Sequence, residues 1–231
     1  MKVRRGFERG VTRLRWLDSR HTFSFGGYFD PDWMGFRTLR VLNDDTVAPG
    51  GGFGEHPHRE MEIVSLVLDG ELEHRDSMGN GSVIRPGEVQ RMSAGTGLRH
   101  SEMNPSGNRE TRFLQIWIEP REAGIEPGYE QTTEPGPGAD GWATLASPDG
   151  RGGSVRIHQN ALLRRARLAP GGGAVHGLGP GRGAWVHLLA GRITLAGSEL
   201  GPGDAAGIED EPAVRLVAGP EGADLLLFDL Q

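Results

Sequence analysis

Short apolar runs closed by glycine or proline shape this chain, and they restrict it to a fold built of many short strands. Met61 to Leu68 reads M-E-I-V-S-L-V-L and ends at Asp69-Gly70. Val83-Ile84 follows the turn sequence D-S-M-G-N-G (Asp76 to Gly81), and Val89 to Met92 follows Pro86-Gly87. Arg112 to Ile118 (R-F-L-Q-I-W-I) ends the block. Runs of this length with turn signals between them predict the strands of a barrel or sandwich. The first and last are apolar on both faces, as expected of strands buried in such a fold. The 38 glycines and 15 prolines punctuate these runs and form no low-complexity tract, which favours a turn-rich β protein over disorder. A length of 231 residues gives room for one large all-β unit or two small ones, with a real core.

Inside this block, from Gly51 to Asn104, lie two pairs of ligand-type residues. His56 and His58 form H-P-H after a Gly-rich turn, and His100 and Glu102 form H-S-E after a second Gly-rich segment. In a strand, residues i and i+2 point to one face, about 7 Å apart. Two such pairs on neighbouring strands bring three imidazoles and a carboxylate to one point. An isolated H-x-H is common on polar faces; the matching H-x-E is what turns it into a candidate metal site. The chain has no cysteine, so disulfides, iron–sulfur clusters and thiolate sites are excluded. A mixed imidazole–carboxylate site suits iron, manganese, cobalt, nickel, copper or zinc. Four protein ligands on an octahedral metal leave two positions for substrate, water or dioxygen, unlike a closed structural zinc site.

The formal net charge is -6 and the sequence pI about 5.8, so nothing favours non-specific binding to nucleic acid or anionic lipid. No apolar run reaches membrane-spanning length, and the N-terminus M-K-V-R-R-G-F-E-R-G has no apolar core of a secretory signal. The expected location is therefore cytoplasmic. W-M-G-F-R-T-L-R-V-L alternates as a strand, and Asn43-Asp44-Asp45 reads as the turn that ends it. Asp44, Asp45 and Asp76 are accordingly read as turn residues and not as catalytic carboxylates. The aromatics between Phe23 and Trp33 read as packing, some of them walling a pocket. Residues 121–153 are polar and rich in Gly and Pro, and predict a connection. Strand signals resume over 154–231, where a weak internal repeat suggests a second β unit. That unit lacks the ligand pairs; its nearest analogue is His176 alone, so no metal is expected there.

The stretches F-x-F-x-x-Y-F-D-P, M-G-F-x-x-L-R-V-L-N-D-D, G-F-G-x-H-P-H, D-S-M-G-N, M-S-A-G-T-G-x-x-H-S-E-x-N-P and Q-I-W-I together resemble the pirins of the cupin superfamily. The likeness is to the bacterial pirin-like quercetin 2,3-dioxygenases, is dense through residue 130 and looser beyond. It implies an all-β bicupin of two antiparallel β-barrels of jelly-roll type, with a metal-binding cupin at 1–130 and a metal-free cupin at 131–231. It implies one divalent cation on His56, His58, His100 and Glu102, with Fe(II) placed first and Zn, Mn, Co, Ni or Cu as alternatives. The general cupin pattern instead places the carboxylate at Glu62; on the pirin pattern, Glu62 becomes a neighbour fixing a ligand imidazole through its free N–H. The implied reaction is cleavage of quercetin or a related flavonol by O2 with release of carbon monoxide, Glu102 acting as general base. The implied partners are a small aromatic substrate and O2, without direct nucleic-acid or membrane contact, in a monomer. Pirins are also associated with transcription cofactor roles, so the alternative is a redox-sensitive metal protein acting through a protein partner.

Overall fold

The computed structural model describes all 231 residues, and apart from two single-turn 3-10 helices its regular elements are all strands. No helix is long and apolar enough to cross a membrane. The chain divides into two compact units: Gly10–Glu134 with Val155–Gln159, and Met1–Arg9 with Pro135–Ser154 and Asn160–Gln231. Strand β1 (Lys2–Arg4) thus belongs with the C-terminal half of the chain.

The unit that carries the ligand pairs holds β2 (Gly10–Arg13), β3 (Leu17–His21), β4 (Leu39–Val47), β5 (Gly52–His58), β6 (Glu62–Asp69) and β7 (Leu72–Asp76). It continues with β8 (Gly81–Ile84), β9 (Glu88–Ser93), β10 (Leu98–Met103), β11 (Thr111–Ile118) and β12 (Gly128–Thr133). Seven strands form one sheet in the order β12-β9-β6-β11-β4-β3-β2, and four form another in the order β5-β10-β7-β8. The neighbours pair antiparallel. Both apolar runs singled out in the sequence are central: β6 and β11 lie side by side, buried on both faces over most of their length. Val47, Val67 and Phe113 of the larger sheet meet Leu72 and Ile84 of the smaller one in a single apolar cluster. Each such side chain, fully buried, contributes about 1.5–3 kcal/mol.

The rest of the interior is not apolar. Asn43, Asp45, Ser65, His74, Gln115, His100 and Glu102 are all buried. Buried polar groups of this number cost stability unless each is partnered, so their concentration between two sheets marks a site.

The structure departs from the sequence expectations at three places. Asn43-Asp44-Asp45 is not a turn; it lies within β4. Turn-type residues stand in a strand because each has a partner or a cavity: Asp44 takes both Nε and Nη2 of Arg112 at 2.8 Å, and Asn43 and Asp45 share the opposite face. Residues 121–153 are not wholly a connection either. Gly128–Thr133 pairs with β9 as an edge strand, where half-exposed polar side chains suffice. The strand expected at Trp33 begins only at Leu39.

Gly52 sits where β5 presses on β10. A Cβ there would lie 2.4 Å from the Glu102 carbonyl oxygen and 2.6 Å from Met103 Cα. Gly52→Ala is therefore expected to destabilise the protein by about 1–3 kcal/mol through overpacking, read as a lower denaturant midpoint.

The other unit builds one sheet on Gly183–Leu195 and Ala213–Leu230, which pair along most of their length. Its core is apolar, with Trp142, Val186, Leu188, Leu225 and Leu227 buried. His176 is held at both ring nitrogens: Nε2 lies 2.8 Å from Asp229 Oδ2, and Nδ1 3.2 Å from Arg164 Nη1.

Candidate metal centre

Strands β5 and β10 pair antiparallel, with His100 opposite His56 and Leu98 opposite His58. Alternation along β10 turns Leu98, His100 and Glu102 inward and leaves Arg99 exposed. The register shifts between His100 and Glu102, so that Glu102 faces Phe53. The irregularity gives β5 an extra residue and brings Phe53 and His56, three apart in sequence, to the same cavity.

His56, His58 and His100 each direct a ring nitrogen to one point, the three lying within 4.8 Å of one another. Their protonation can be deduced from their neighbours. His56 Nδ1 donates to the Gly54 carbonyl at 2.7 Å, which leaves Nε2 as the nitrogen available to a metal. On the other side, Asp76 accepts from the Met78 and Asn80 backbone N–H groups, from Asn80 Nδ2 and from His74 Nε2 at 3.2 Å. Burial opposes the Asp76 charge, but these hydrogen bonds outweigh it and hold the carboxyl below its usual range. Burial depresses His74, which is neutral. His74 therefore spends its single N–H on Asp76 and offers Nδ1 as an acceptor. His100 Nδ1, at 3.4 Å, donates to it. This leaves a lone pair on His100 Nε2 as well, and His100 Nε2 stands 3.1 Å from His56 Nε2. One cation can take the lone pairs of both nitrogens. Burial, then the neighbouring His56, pushes His58 down to about 4. Burial, then His56, His58 and His74, pushes His100 down to about 2. Neutral imidazoles are the form that binds metal, and the three-nitrogen donor set fits a borderline divalent cation.

Glu102 lies outside that tight triad but lines the same cavity. Its carboxylate is fully enclosed, taking Gln115 Nε2 at 2.6 Å and Ser65 Oγ at 3.2 Å. Burial pushes it up to about 7, with the Asp45 charge adding to the effect and the Ser65 and Gln115 bonds opposing it. Asp45 is likewise pushed up to about 7, by burial first; a hydrogen bond from Ser19 opposes this and the charge of Asp44 adds to it. Glu62 does not take the place that the pirin pattern suggested for it. Its carboxylate meets Ser93 Oγ at 2.9 Å and His158 Nδ1 at 3.3 Å, and neither belongs to the imidazole triad. Glu62 leads β6, opposite Ser93 and Ile118, and so is turned to that other cluster.

The cavity is small, about 40 Å³. Phe25, Phe53 and Trp117 wall it, with Trp117 edge-on to both His58 at 4.8 Å and Phe25 at 5.3 Å. One of the early aromatics therefore does line a pocket. Asn43, Asp45 and Gln115 supply the polar part of the lining.

Sequence reasoning missed His74 and took Asp76 for a turn residue alone. The signal was present: His74-Arg75-Asp76 repeats the i, i+2 spacing of the ligand pairs. His74 acts on the site only through His100, whose ring it orients while it stacks on Tyr129 at 4.9 Å. His74→Phe is expected to weaken metal affinity about 10–100-fold, measured by chelator competition.

A pH dependence follows from the two elevated carboxyls. Their folded values, about 7, lie above the ordinary values of 4.5 for Glu102 and 3.8 for Asp45. The folded state thus holds protons that the unfolded state has released. Metal-free protein is expected to lose stability as pH rises from about 4 to about 7, by roughly 1 kcal/mol per pH unit for each carboxyl, and to level off above. Asp45→Asn removes its share of that slope in denaturant titrations.

Comparison with known proteins agrees with this architecture. Residues 2–118 match the Pirin family, and residues 144–230 match the quercetinase C-terminal cupin domain. A quercetin 2,3-dioxygenase of Escherichia coli K12 is 45% identical over 228 residues, covering 99% of this chain and 97% of that protein. A pirin-like protein of Caulobacter vibrioides is 39% identical, covering 93% and 92%. The crystal structure of the bacterial pirin YhhW from Escherichia coli, in complex with nickel(II), superposes with a TM-score of 0.94 at 44% identity, covering 99% of this chain and 98% of that one. With both halves matched and relatives aligned end to end, the chain belongs to the pirin family.

Proposed function

We propose that this pirin is a metal-dependent dioxygenase that opens quercetin or a related flavonol. In the reaction both atoms of O2 enter the cleaved product and one ring carbon leaves as carbon monoxide. His56, His58 and His100 would hold one divalent cation, Fe(II) foremost, with Glu102 as the fourth donor. That cation supplies Lewis acidity to a flavonol oxygen and a centre for dioxygen chemistry. The residues supply the rest. Glu102 takes the proton of the flavonol 3-hydroxyl onto its carboxylate; a group poised near neutrality suits that exchange. Gln115 and Ser65 keep the carboxylate in place. Phe25, Phe53 and Trp117 present apolar aromatic surface beside the triad.

The observation that carries this reading is the convergence of ring nitrogens of His56, His58 and His100 within 4.8 Å of one another, beside a buried carboxylate in an aromatic-walled cavity. The names of the relatives supply the substrate class. The test is aerobic incubation of metal-loaded protein with quercetin, following the loss of its visible absorbance and the carbon monoxide in the headspace. Turnover proportional to metal content is expected. No turnover with any first-row divalent metal would replace this reading by that of a regulatory metal protein.

A further inference from the structure

An open cleft of about 520 Å³ runs beside the paired ends of β5 and β10, where Leu98 lies opposite His58. His58 borders both this cleft and the small cavity of the triad. The volume suits a small organic molecule.

The polar lining of the cleft is of one kind. Arg59, Arg99, Ser77 and Thr96 line it, and no carboxylate does. In a chain of net charge -6 this is an unusual composition, and a cleft lined by one sign of charge concentrates ligands of the other. The carboxylates nearby in sequence are engaged elsewhere. Glu60 accepts from the Gly124 N–H at 3.0 Å, and Asp76 is filled by its four donors. Glu55 takes Arg99 Nε at 2.7 Å and its carbonyl takes Nη2, which leaves Arg99 Nη1 free.

Arg59 is the decisive residue. It has neither a hydrogen-bond partner nor an ion pair within the chain. Its guanidinium lies over Gly97: a Cβ built there would be 3.8 Å from both Nε and Nη2. All five of its N–H donors are open to a ligand. The Ser77 hydroxyl accepts from the Arg99 N–H at 3.1 Å and gives its own proton to nothing in the chain. His58 adds a separate observation. His56 and His100 each have their Nδ1 held, by the Gly54 carbonyl and by His74. The His58 ring makes only aromatic contacts, among them the edge-on one to Trp117. A metal-bound imidazole almost always donates its other N–H, and the chain supplies no acceptor for this one.

We propose that this cleft is a binding site for small organic carboxylates. Arg59 grips the carboxylate through two parallel N–H···O bonds, the fork-to-fork match that arginine makes with such anions. Ser77 and Thr96 supply hydroxyl donors around it. Pro57 and Leu98 give the organic part apolar surface. The bound anion sits against His58, the one triad imidazole that the chain leaves without a second partner. The site is separate from the triad cavity and does not depend on the reaction assigned to the triad.

Titration calorimetry of zinc-loaded protein with benzoate tests this. Benzamide has the same shape without the charge and is expected to bind at least about ten-fold more weakly. Arg59→Gln, at an exposed position, is expected to lower benzoate affinity about ten-fold or more. Arg85→Gln removes an exposed arginine paired to Glu71 outside the cleft and is expected to leave affinity as in wild type. Metal-free protein is expected to bind benzoate too, since the arginine and not the cation holds the carboxylate. Inorganic phosphate, a plain oxyanion, is expected to bind more weakly than benzoate. Undiminished binding in Arg59→Gln, or equal binding of benzoate and benzamide, overturns the assignment. An equal loss in Arg85→Gln overturns it as well, by showing attraction to charge alone. Benzoate binding only with zinc present places the carboxylate on the metal and overturns the cleft site. Phosphate binding as tightly as benzoate overturns the organic part of the assignment, and no benzoate binding to wild type overturns the whole.

Discussion

His100→Ala is expected to abolish metal loading and, with it, all quercetin turnover. His100 is the hub of the centre: it faces His56 at Nε2 and takes its orientation from His74 at Nδ1. Its removal deletes one of three nitrogen donors and leaves His74 Nδ1 buried without a partner. A cation present at a hundred times its dissociation constant stabilises the wild-type fold by about 2.7 kcal/mol. In His100→Ala that metal-dependent rise in melting temperature should vanish, while the metal-free variant still unfolds cooperatively. Unaltered metal content in this variant would show that the triad is not the metal site.

The second large effect concerns the carboxylate. Glu102→Gln preserves shape and keeps partners for Ser65 and Gln115 after an amide rotation, but it cannot accept the substrate proton. Turnover is expected to fall about 10²–10⁴-fold, the range typical of losing a general base, and metal content to fall with it if Glu102 is the fourth donor. Glu62→Gln is the matched control. Its carboxylate is occupied by Ser93 and His158, so metal content there should stay as in wild type. Normal loading in Glu102→Gln together with loss in Glu62→Gln would reverse the choice between the two carboxylates.

Much of this site could be read from the chain because its parts obey the simplest rule of strands. H-P-H and H-S-E each put two side chains on one face, and the pairing of β5 with β10 brings three of the four imidazole and carboxylate groups into one cluster. The two-sided apolar runs became the adjacent central strands β6 and β11 for the same reason. What escaped was polar sequence in strands. Asn and Asp favour turns because their short side chains bond to nearby backbone, and N-D-D carries that signature whether or not a cavity waits beside it. In β4 the cavity and Arg112 decide the matter, and neither can be seen from local sequence. Gly128–Thr133 escaped likewise, since an edge strand needs no apolar face. The tautomers of His56, His74 and His100 depend on the Gly54 carbonyl and on Asp76, contacts that exist only once the strands pair. Nor did any sequence signal place Met1–Arg9 with one unit and Val155–Gln159 with the other.

Crystals of the metal-loaded protein, measured on either side of the absorption edge of the bound element, give the most direct test of the centre. One anomalous peak per chain is expected, about 2.0–2.2 Å from a ring nitrogen of each of His56, His58 and His100, with at least one coordination position facing the aromatic-walled cavity. A peak elsewhere, or one closed off on all sides by protein donors, would contradict a catalytic metal on this triad.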